Sequence, residues 1–418
     1  MSVSEWREYT VKELVDLKML DKPLDGNHGG MHPKSSDYVT SGIPFIMAND
    51  LKDGKVDYKC CNFITEKQAK TLKKGFAKPG DVLLTHKATM GRTAIVDESY
   101  PYIVLTPQVT YYRVLKGIDN KYLKYYFDSK NFQELLLNWG GSGSTRAYLG
   151  ITEQLKLPII LPPLPEQKAI AATLSALDDM IELNNQINKI LEEMVQAIFK
   201  SWFVDFEPFK DEEFEESELG LIPKGWRVAA LDEIATYLNG LAMQKYPPSK
   251  NERGLPVLKI KELRQGFTDG NSDICSESID NSYIINDGDI IFSWSGSLLV
   301  DIWCGGRCGL NQHLFKVTSA SYNKWFYYMW TRYHLERFIA IAKDKATTMG
   351  HIQRKHLSEA KVLIPEPNTL AFMDSVMQPI IDLVIANKVE NKTLSTIRDT
   401  LLPKLMTGEI RVPVEEVV

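Results

Sequence analysis

Cysteine is scarce, at five residues in 418. So low and odd a number excludes a disulfide-built scaffold and points to a reducing, cytoplasmic compartment. No apolar run approaches the ~18–20 residues of a membrane span. The opening MSVSEWREYTVKEL has no apolar secretion core, so no membrane is expected among the partners. Catalytic signatures are missing too. There is no G-x-x-x-x-G-K-[ST] phosphate loop, no G-x-G-x-x-G after a strand and no G-x-S-x-G elbow. GGSGSTR at 140–146 is glycine-rich but lacks the following lysine. The Asn/Asp-Pro-Pro-aromatic signature of amino-methyltransferases is absent, since LPPLP at 161–165 begins with leucine. The seven histidines show no pairing. Cys304, Cys308 and His313 have marginal spacing and no evident fourth ligand, so no metal is assigned. No catalytic residue is assigned either, and the chain reads as a recognition or scaffold protein.

Positive charge is also in short supply. The net charge is −5, which by itself argues against nucleic acid. The excess is local, however. Residues 205–218 hold eight acidic side chains against Lys210, so this segment carries −7 and the remainder sums to +2. That stretch reads as a solvated acidic linker and leaves room for basic surfaces elsewhere.

What is present is an internal repeat. SEWREYTVKEL matches KGWRVAALDEI, with Trp6 on Trp226, Arg7 on Arg227 and Glu13 on Glu233 at an offset of 220. GIPFIMANDLKDG (42–54) matches GLPVLKIKELRQG (254–266) at 212, and PGDVLLT (79–85) matches DGDIIFS (287–293) at 208. Gln108 matches Gln312 at 204, and LPIILPP (157–163) matches AKVLIPE (360–366) at 203. Five collinear matches define two copies of one unit, each about half the chain.

Each copy opens with short β-rich runs bounded by turn residues, such as DVLLT and DIIFSW. One helical stretch follows in each, at about 120–138 and 322–342. A proline-rich stop then launches a long helix. The first is expected from about Glu166 to Phe203, about 57 Å at 1.5 Å per residue. Its apolar positions alternate steps of four and three: Ile170, Leu174, Leu177, Ile181, then Asn184 and Asn188, then Leu191, Val195, Ile198 and Trp202. Adding 203 gives Met373, Met377, Ile380, Val384, Asn387, Asn391, Leu394, Arg398, Leu401 and Leu405. This is a coiled-coil seam interrupted by paired asparagines, which fix register at a cost in stability. Pro379 should kink the second helix or delay its start.

Several loops combine basic, hydroxyl and amide side chains, the types that contact phosphates and base edges. In copy one the candidates for DNA contact are Lys34, Ser35, Thr85, His86, Lys87, Arg92 and Arg146. In copy two they are Lys245, Lys250, Ser293, Trp294, Ser295, Lys345, His351 and Arg354. Thr85-His86-Lys87 aligns with Ser293-Trp294-Ser295, just after the framework strand. The frameworks match while the loops differ, as two readers of different sequences on one scaffold would. Read without that pattern, the same residues are ordinary solvated loops.

The two-copy layout, LPPLPEQ at 161–167 with its helix, PGDVLLT, and LLPKLMTGEIRV at 401–412 resemble the specificity (S) subunits of type I restriction–modification systems. The resemblance covers essentially the whole chain. It departs at LIPEPN (363–368), which lacks the EQ of the first copy. The fold it implies is a mixed α/β, two-fold internal repeat. Two globular target-recognition domains are separated by two long antiparallel coiled-coil helices. The implied divisions are 1–150 and 211–350 for the recognition domains, and 151–210 and 351–418 for the helix-bearing conserved regions. It implies double-stranded DNA as partner, each domain reading one half of a split target. Two modification (M) subunits would dock on the conserved regions, holding S-adenosylmethionine and methylating adenine N6. Restriction (R) subunits, with ATP and Mg, join in the full nuclease. None of these cofactors would bind this chain. The competing reading is a two-domain coiled-coil adaptor with no nucleic-acid role.

Overall fold

The segments that begin and end each repeat pair with each other. Arg7–Thr10 runs antiparallel to Pro158–Leu161, and Arg227–Ala230 to Lys361–Ile364. The computed structural model describes residues 6–141, 147–344 and 350–413. Two compact units result: Met1–Asp179 with Thr396–Val418, and Met180–Ser395. The four divisions expected from the sequence thus become two, because each long helix contributes to both units.

In the first unit, an antiparallel sheet has the order Thr93–Ile95, Val82–Thr85, Val109–Tyr112, Leu24–Asp25. The second unit repeats it as Leu299–Trp303, Asp289–Ser293, Leu314–Thr318, Thr236–Asn239. Val82–Thr85 is buried along its whole length, as an apolar run flanked by turn residues should be. The turn before it needs glycine. Gly80 and Gly288 sit at φ 87° and 89°, where a side chain is strained. Their N–H groups donate to Val96 O and Trp303 O at 2.8 and 2.7 Å.

A second sheet in each unit contains one parallel pair, Ile43–Ile46 with Ile103–Leu105 and Leu255–Leu258 with Cys308–Leu310. Copy one adds the edge strand Tyr38–Val39 and a hairpin of Leu51–Lys52 with Lys55–Val56. Between Gly26 and Gly80, the stretch that holds this elaboration, copy one is six residues longer than copy two.

Three expectations need correction. Each single helical stretch is two helices. Asn120–Asp128 ends at Ser129, whose extended backbone lets its hydroxyl cap Lys130–Trp139. Lys324–Tyr333 and Leu335–Asp344 are divided at His334, whose Nε2 bonds Lys361 O at 2.8 Å. The acidic stretch is not a free linker. Phe214–Ser217 pairs with Gly220–Pro223, and the rings of Phe206 and Phe209 lie 5.9 and 5.1 Å from Trp226. The phenylalanines interleaved among the acids anchor it.

The third correction concerns Pro379. The long helices are Leu164–Phe203 and Pro367–Met406, 40 residues each. The second starts at Pro367 and runs through Pro379. Pro379 and Ser375 are both exposed, so the carbonyl that proline leaves without a donor faces water. This helix holds an 18-residue window of mean hydropathy 1.5, 22% buried, long and apolar enough to cross a membrane. The sequence shows no unbroken apolar run there. The helix alternates buried Met373, Met377, Ile381 and Val384 with exposed Phe372 and Leu383.

All twelve seam residues from Leu174 to Leu401 lie buried or half-buried. Near Pro379 the buried residue is Ile381 rather than Ile380. Within the second unit, Asn184 Nδ2 donates to Glu390 Oε2 and Asn391 Oδ1 at 2.7 and 3.0 Å. Asn387 Nδ2 donates to Asn188 Oδ1 at 2.9 Å, and Asn188 Nδ2 to Val384 O at 3.3 Å. As one number rises the other falls, so the helices run antiparallel there. In the first unit, Ile170 and Leu174 share a core with Leu401 and Leu405.

Candidate nucleic-acid interface

Loops from four places converge at one end of each antiparallel sheet. In copy one, His86 N–H donates to Gln108 O at 3.0 Å, Ala88 N–H to Ala147 O at 3.1 Å, and Leu149 N–H to His86 O at 3.0 Å. In copy two the same bonds join Trp294 to His313 (3.4 Å), Gly296 to Gly350 (2.8 Å) and Ile352 to Trp294 (3.0 Å). Ala88 and Gly296 occupy the same left-handed conformation, φ 65° and 66°. Strain at a non-glycine residue there is typical of functional loops. The ladders also correct one alignment. Val109 lies opposite Thr85 and Leu314 opposite Ser293, so Gln108 corresponds to His313, not Gln312.

A fourth loop leaves each edge strand through a glycine that sequence reading passed over. A Cβ on Gly26 would stand 1.9 Å from Leu105 O. One on Gly240 would stand 2.3 Å from Asn311 O. The aligned DGN and NGL tripeptides were the available signal.

Around this shared backbone the side chains differ. In copy one, Asp25 is buried and accepts from His28 Nε2 at 2.7 Å and from Lys74 Nζ. Burial pushes its carboxyl up, but the bonds from Lys74 and His28 prevail and hold it below the ordinary range. Asn27 ties the loop to Lys74 O and Lys73 N at 2.6 and 3.0 Å. In copy two, Asn239 stands at the Asp25 position and accepts from Trp294 Nε1 at 2.9 Å. The Trp294 ring lies 5.7 Å from Phe315 and 6.2 Å from both His313 and His351. The Arg354 guanidinium sits 5.8 Å from the Phe315 ring.

Lys34, Ser35, Arg92, Lys245, Lys250, His351 and Arg354 are exposed, and Lys87 and Trp294 half-buried. Lys87 Nζ lies 5.7 Å from the ring of Tyr148, which is 47% exposed and was not singled out. Arg146 and Lys345 lie outside the described residues.

Thr85, His86, Ser293 and Ser295 are corrected: all four are buried and hold the loops together. Thr85 Oγ1 accepts from Arg92 N at 2.9 Å. His86 Nδ1 bonds Leu149 O at 2.9 Å, and burial pushes its imidazole below the ordinary value. Ser293 Oγ donates to Ser295 O and Ser297 O at 3.2 and 3.0 Å, and Ser295 Oγ meets His313 Nδ1 at 3.0 Å. The signal was available: Thr85 and Ser293 end apolar strands, and His86 and Ser295 follow within two residues. Cys304 and Cys308 are also buried, in different hydrophobic clusters, and burial pushes the Cys304 thiol up to about 11.

Comparison with known proteins agrees with this two-copy design. Residues 3–193 and 223–397 match the family described as type I restriction modification DNA specificity domain. The type I restriction enzyme MjaIX specificity subunit of Methanocaldococcus jannaschii is 33% identical, covering 97% of this chain and 94% of that one. The HindI specificity subunit of Haemophilus influenzae is 20% identical over 98% of this chain and all of its own length. A crystal structure of the type I S subunit from M. genitalium shares the fold, with a TM-score of 0.58 at 15% identity over 97% of each chain. The chain therefore belongs to the type I restriction–modification DNA specificity family, as a non-catalytic specificity subunit built from two copies of its DNA-recognition domain.

Proposed function

We propose that each copy reads one half of a bipartite sequence in double-stranded DNA, and that the paired helices set the gap between the halves. The observation that supports this most is the pair of loop clusters above. Identical backbone bonds carry His86, Ala88 and Tyr148 in one copy and Trp294, Gly296 and His351 in the other. Exposed cations on such loops serve phosphates, and polar or aromatic groups serve base edges.

Two M subunits dock on the helices, hold S-adenosylmethionine and methylate adenine N6. R subunits with ATP and Mg join where the nuclease is assembled. A second apolar stripe on the first long helix favours the docking. Met180, Leu183, Ile190 and Met194 are 44–57% exposed, at steps of three, seven and four. Several exposed large apolar side chains along one helix are what an interaction site presents. The repeat places exposed Leu383 and Ile397 on the second helix at the positions of Met180 and Met194. Because the chain is net negative, DNA binding is weak for this chain alone and strong with the M subunits.

The test is long-read sequencing of native DNA with and without this gene, scoring N6-methyladenine. Loss of one bipartite motif on deletion is the expected result. An unchanged methylome in cells that express the M subunit would overturn the proposal.

A further inference from the structure

In each unit, one charged side chain of a long helix hydrogen-bonds the globular domain and also pairs with a charge on the opposite helix. In the first unit it is Asp178 on the first long helix. Its Oδ1 accepts from Arg398 Nη1 on the second helix at 2.8 Å. Its Oδ2 accepts from Tyr125 Oη at 2.6 Å. Tyr125 belongs to Asn120–Asp128 of the recognition domain and is buried. In the second unit it is Lys388 on the second long helix. Its Nζ lies 3.1 Å from Asp301 Oδ1, on strand Leu299–Trp303 of the recognition domain, and 3.7 Å from Glu192 Oε1 on the first helix.

The repeat does not explain this likeness. At the offset of 203, Asp178 corresponds to Ile381 and Lys388 to Asn185. The groups differ in sign, and the domain partners lie on different elements, a helix in one case and a strand in the other. Yet each clamp sits on the long helix of its own copy. Ile381 and Lys388 are seven residues apart, two turns along one helix face. The same three-way connection has therefore been built twice from different residues.

Chemistry says what such a connection adds. Apolar contact between a domain and a helix is non-directional and tolerates sliding and rotation. A half-buried charge costs desolvation and is a weak source of stability. Its hydrogen bond to the domain is directional, however, so a group that makes that bond while paired with a charge on the opposite helix restrains the angle between the two. B-DNA turns once in 10–10.5 base pairs, about 35° per base pair. A reader that rotates by that amount meets the neighbouring base pair.

We infer that Asp178 and Lys388 are positioning residues that hold each recognition domain at a fixed angle on the helix pair, and so set how strictly the gap between half-sites is measured. This rests on the bipartite reading proposed above.

The experiment uses the complete chain assembled with its M subunits and a library of targets. The two half-sites are constant and the gap varies by up to two base pairs either way. Wild type methylates one gap. Tyr125→Phe, which removes the domain contact of Asp178, and Lys388→Met, which removes both the domain and the helix contact of Lys388, should each raise methylation at gaps one base pair off by about tenfold relative to the native gap, the ratio that one hydrogen bond is worth. Half-site sequences stay unchanged, and Lys388→Arg restores strictness. Wild-type gap selectivity in both variants, with only thermal stability or total methylation reduced, would overturn the inference. A changed half-site would also overturn it, since the domain interior would then be what the contact holds. Failure of the underlying reading looks different: wild type itself would methylate no bipartite target.

Discussion

The two copies solve one backbone problem with two kinds of side chain. In copy one the loop junction is held by charge: Asp25 between His28 and Lys74. In copy two it is held by an aromatic group, Trp294, bonded to Asn239 and packed among the rings of Phe315, His313 and His351. The three main-chain bonds that join the loops beneath match residue for residue. When the frame is carried by backbone groups, the side chains that project from it can change without loss of fold. That is the property a pair of recognition domains for unlike half-sites needs.

The sharpest way to break this comparison is to strike the frame itself. Gly26 and Gly240 pack against main chain at equivalent places, with no room for a methyl group. Gly26→Ala and Gly240→Ala should each cost roughly 3 kcal/mol or more, as backbone overpacking does. The effect should be similar in the two copies. Gly30→Ala, with nothing within 4 Å, should stay within about 0.5 kcal/mol. Denaturant unfolding of the three variants measures this. A large loss from one glycine and none from the other would show that the frames are not equivalent.

The frame was largely legible in the sequence, and the site much less so. Backbone demands leave fixed residues: PGD and DGD mark the left-handed glycines, and Asn184, Asn188, Asn387 and Asn391 mark the seam. Depth within a loop leaves no such mark. Thr85, His86, Ser293 and Ser295 have the side chains of a DNA contact, but all four lie inside. Their hydrogen-bond partners, such as Leu149 O and Ser297 O, are reached only through tertiary structure. Gln108 was placed one residue off because a lone glutamine match outweighed the ladder opposite Thr85. The acidic stretch misled for a related reason, since its charge is obvious in sequence and the packing of Phe206 and Phe209 on Trp226 is not.

A smaller effect separates the copies by pH. His86 is buried and held neutral by burial, with Asp25, His28 and Lys87 the titratable groups around it. The unfolded chain takes up a proton at this imidazole near pH 6.5, whereas the folded chain does so only at lower pH. Its contribution to stability is therefore full above about pH 6.5 and is lost as pH falls below it. Trp294, at the equivalent place, has no proton to take. Hydrogen exchange in 86–92 and 147–150, corrected for intrinsic rates, should quicken by up to about tenfold for one pH unit below 6.5. His86→Leu should remove that dependence. Leu149 O keeps its bond from Gln154 Nε2 at 2.8 Å, so the variant strands no buried carbonyl. An unaltered pH dependence in His86→Leu would assign the effect to another group and erase this distinction.

The smallest effect expected is at the exposed lysines, and it tests where frame ends and reader begins. Lys34 in copy one, and Lys245 and Lys250 in copy two, stand exposed on the loops that leave through Gly26 and Gly240. A lysine that meets a phosphate neutralises charge and releases a counterion, and carries no sequence information. Replacing each with glutamine in the assembled complex should reduce the slope of log affinity against log salt by about one. The loss of affinity should be uniform across sequences, and the methylated motif should not change. A variant that instead alters one half-site would move its lysine from phosphate to base. The motif half that changes would then tell which copy reads which end of the target, and the loops after Gly26 and Gly240, not only those around His86 and Trp294, would count as readers.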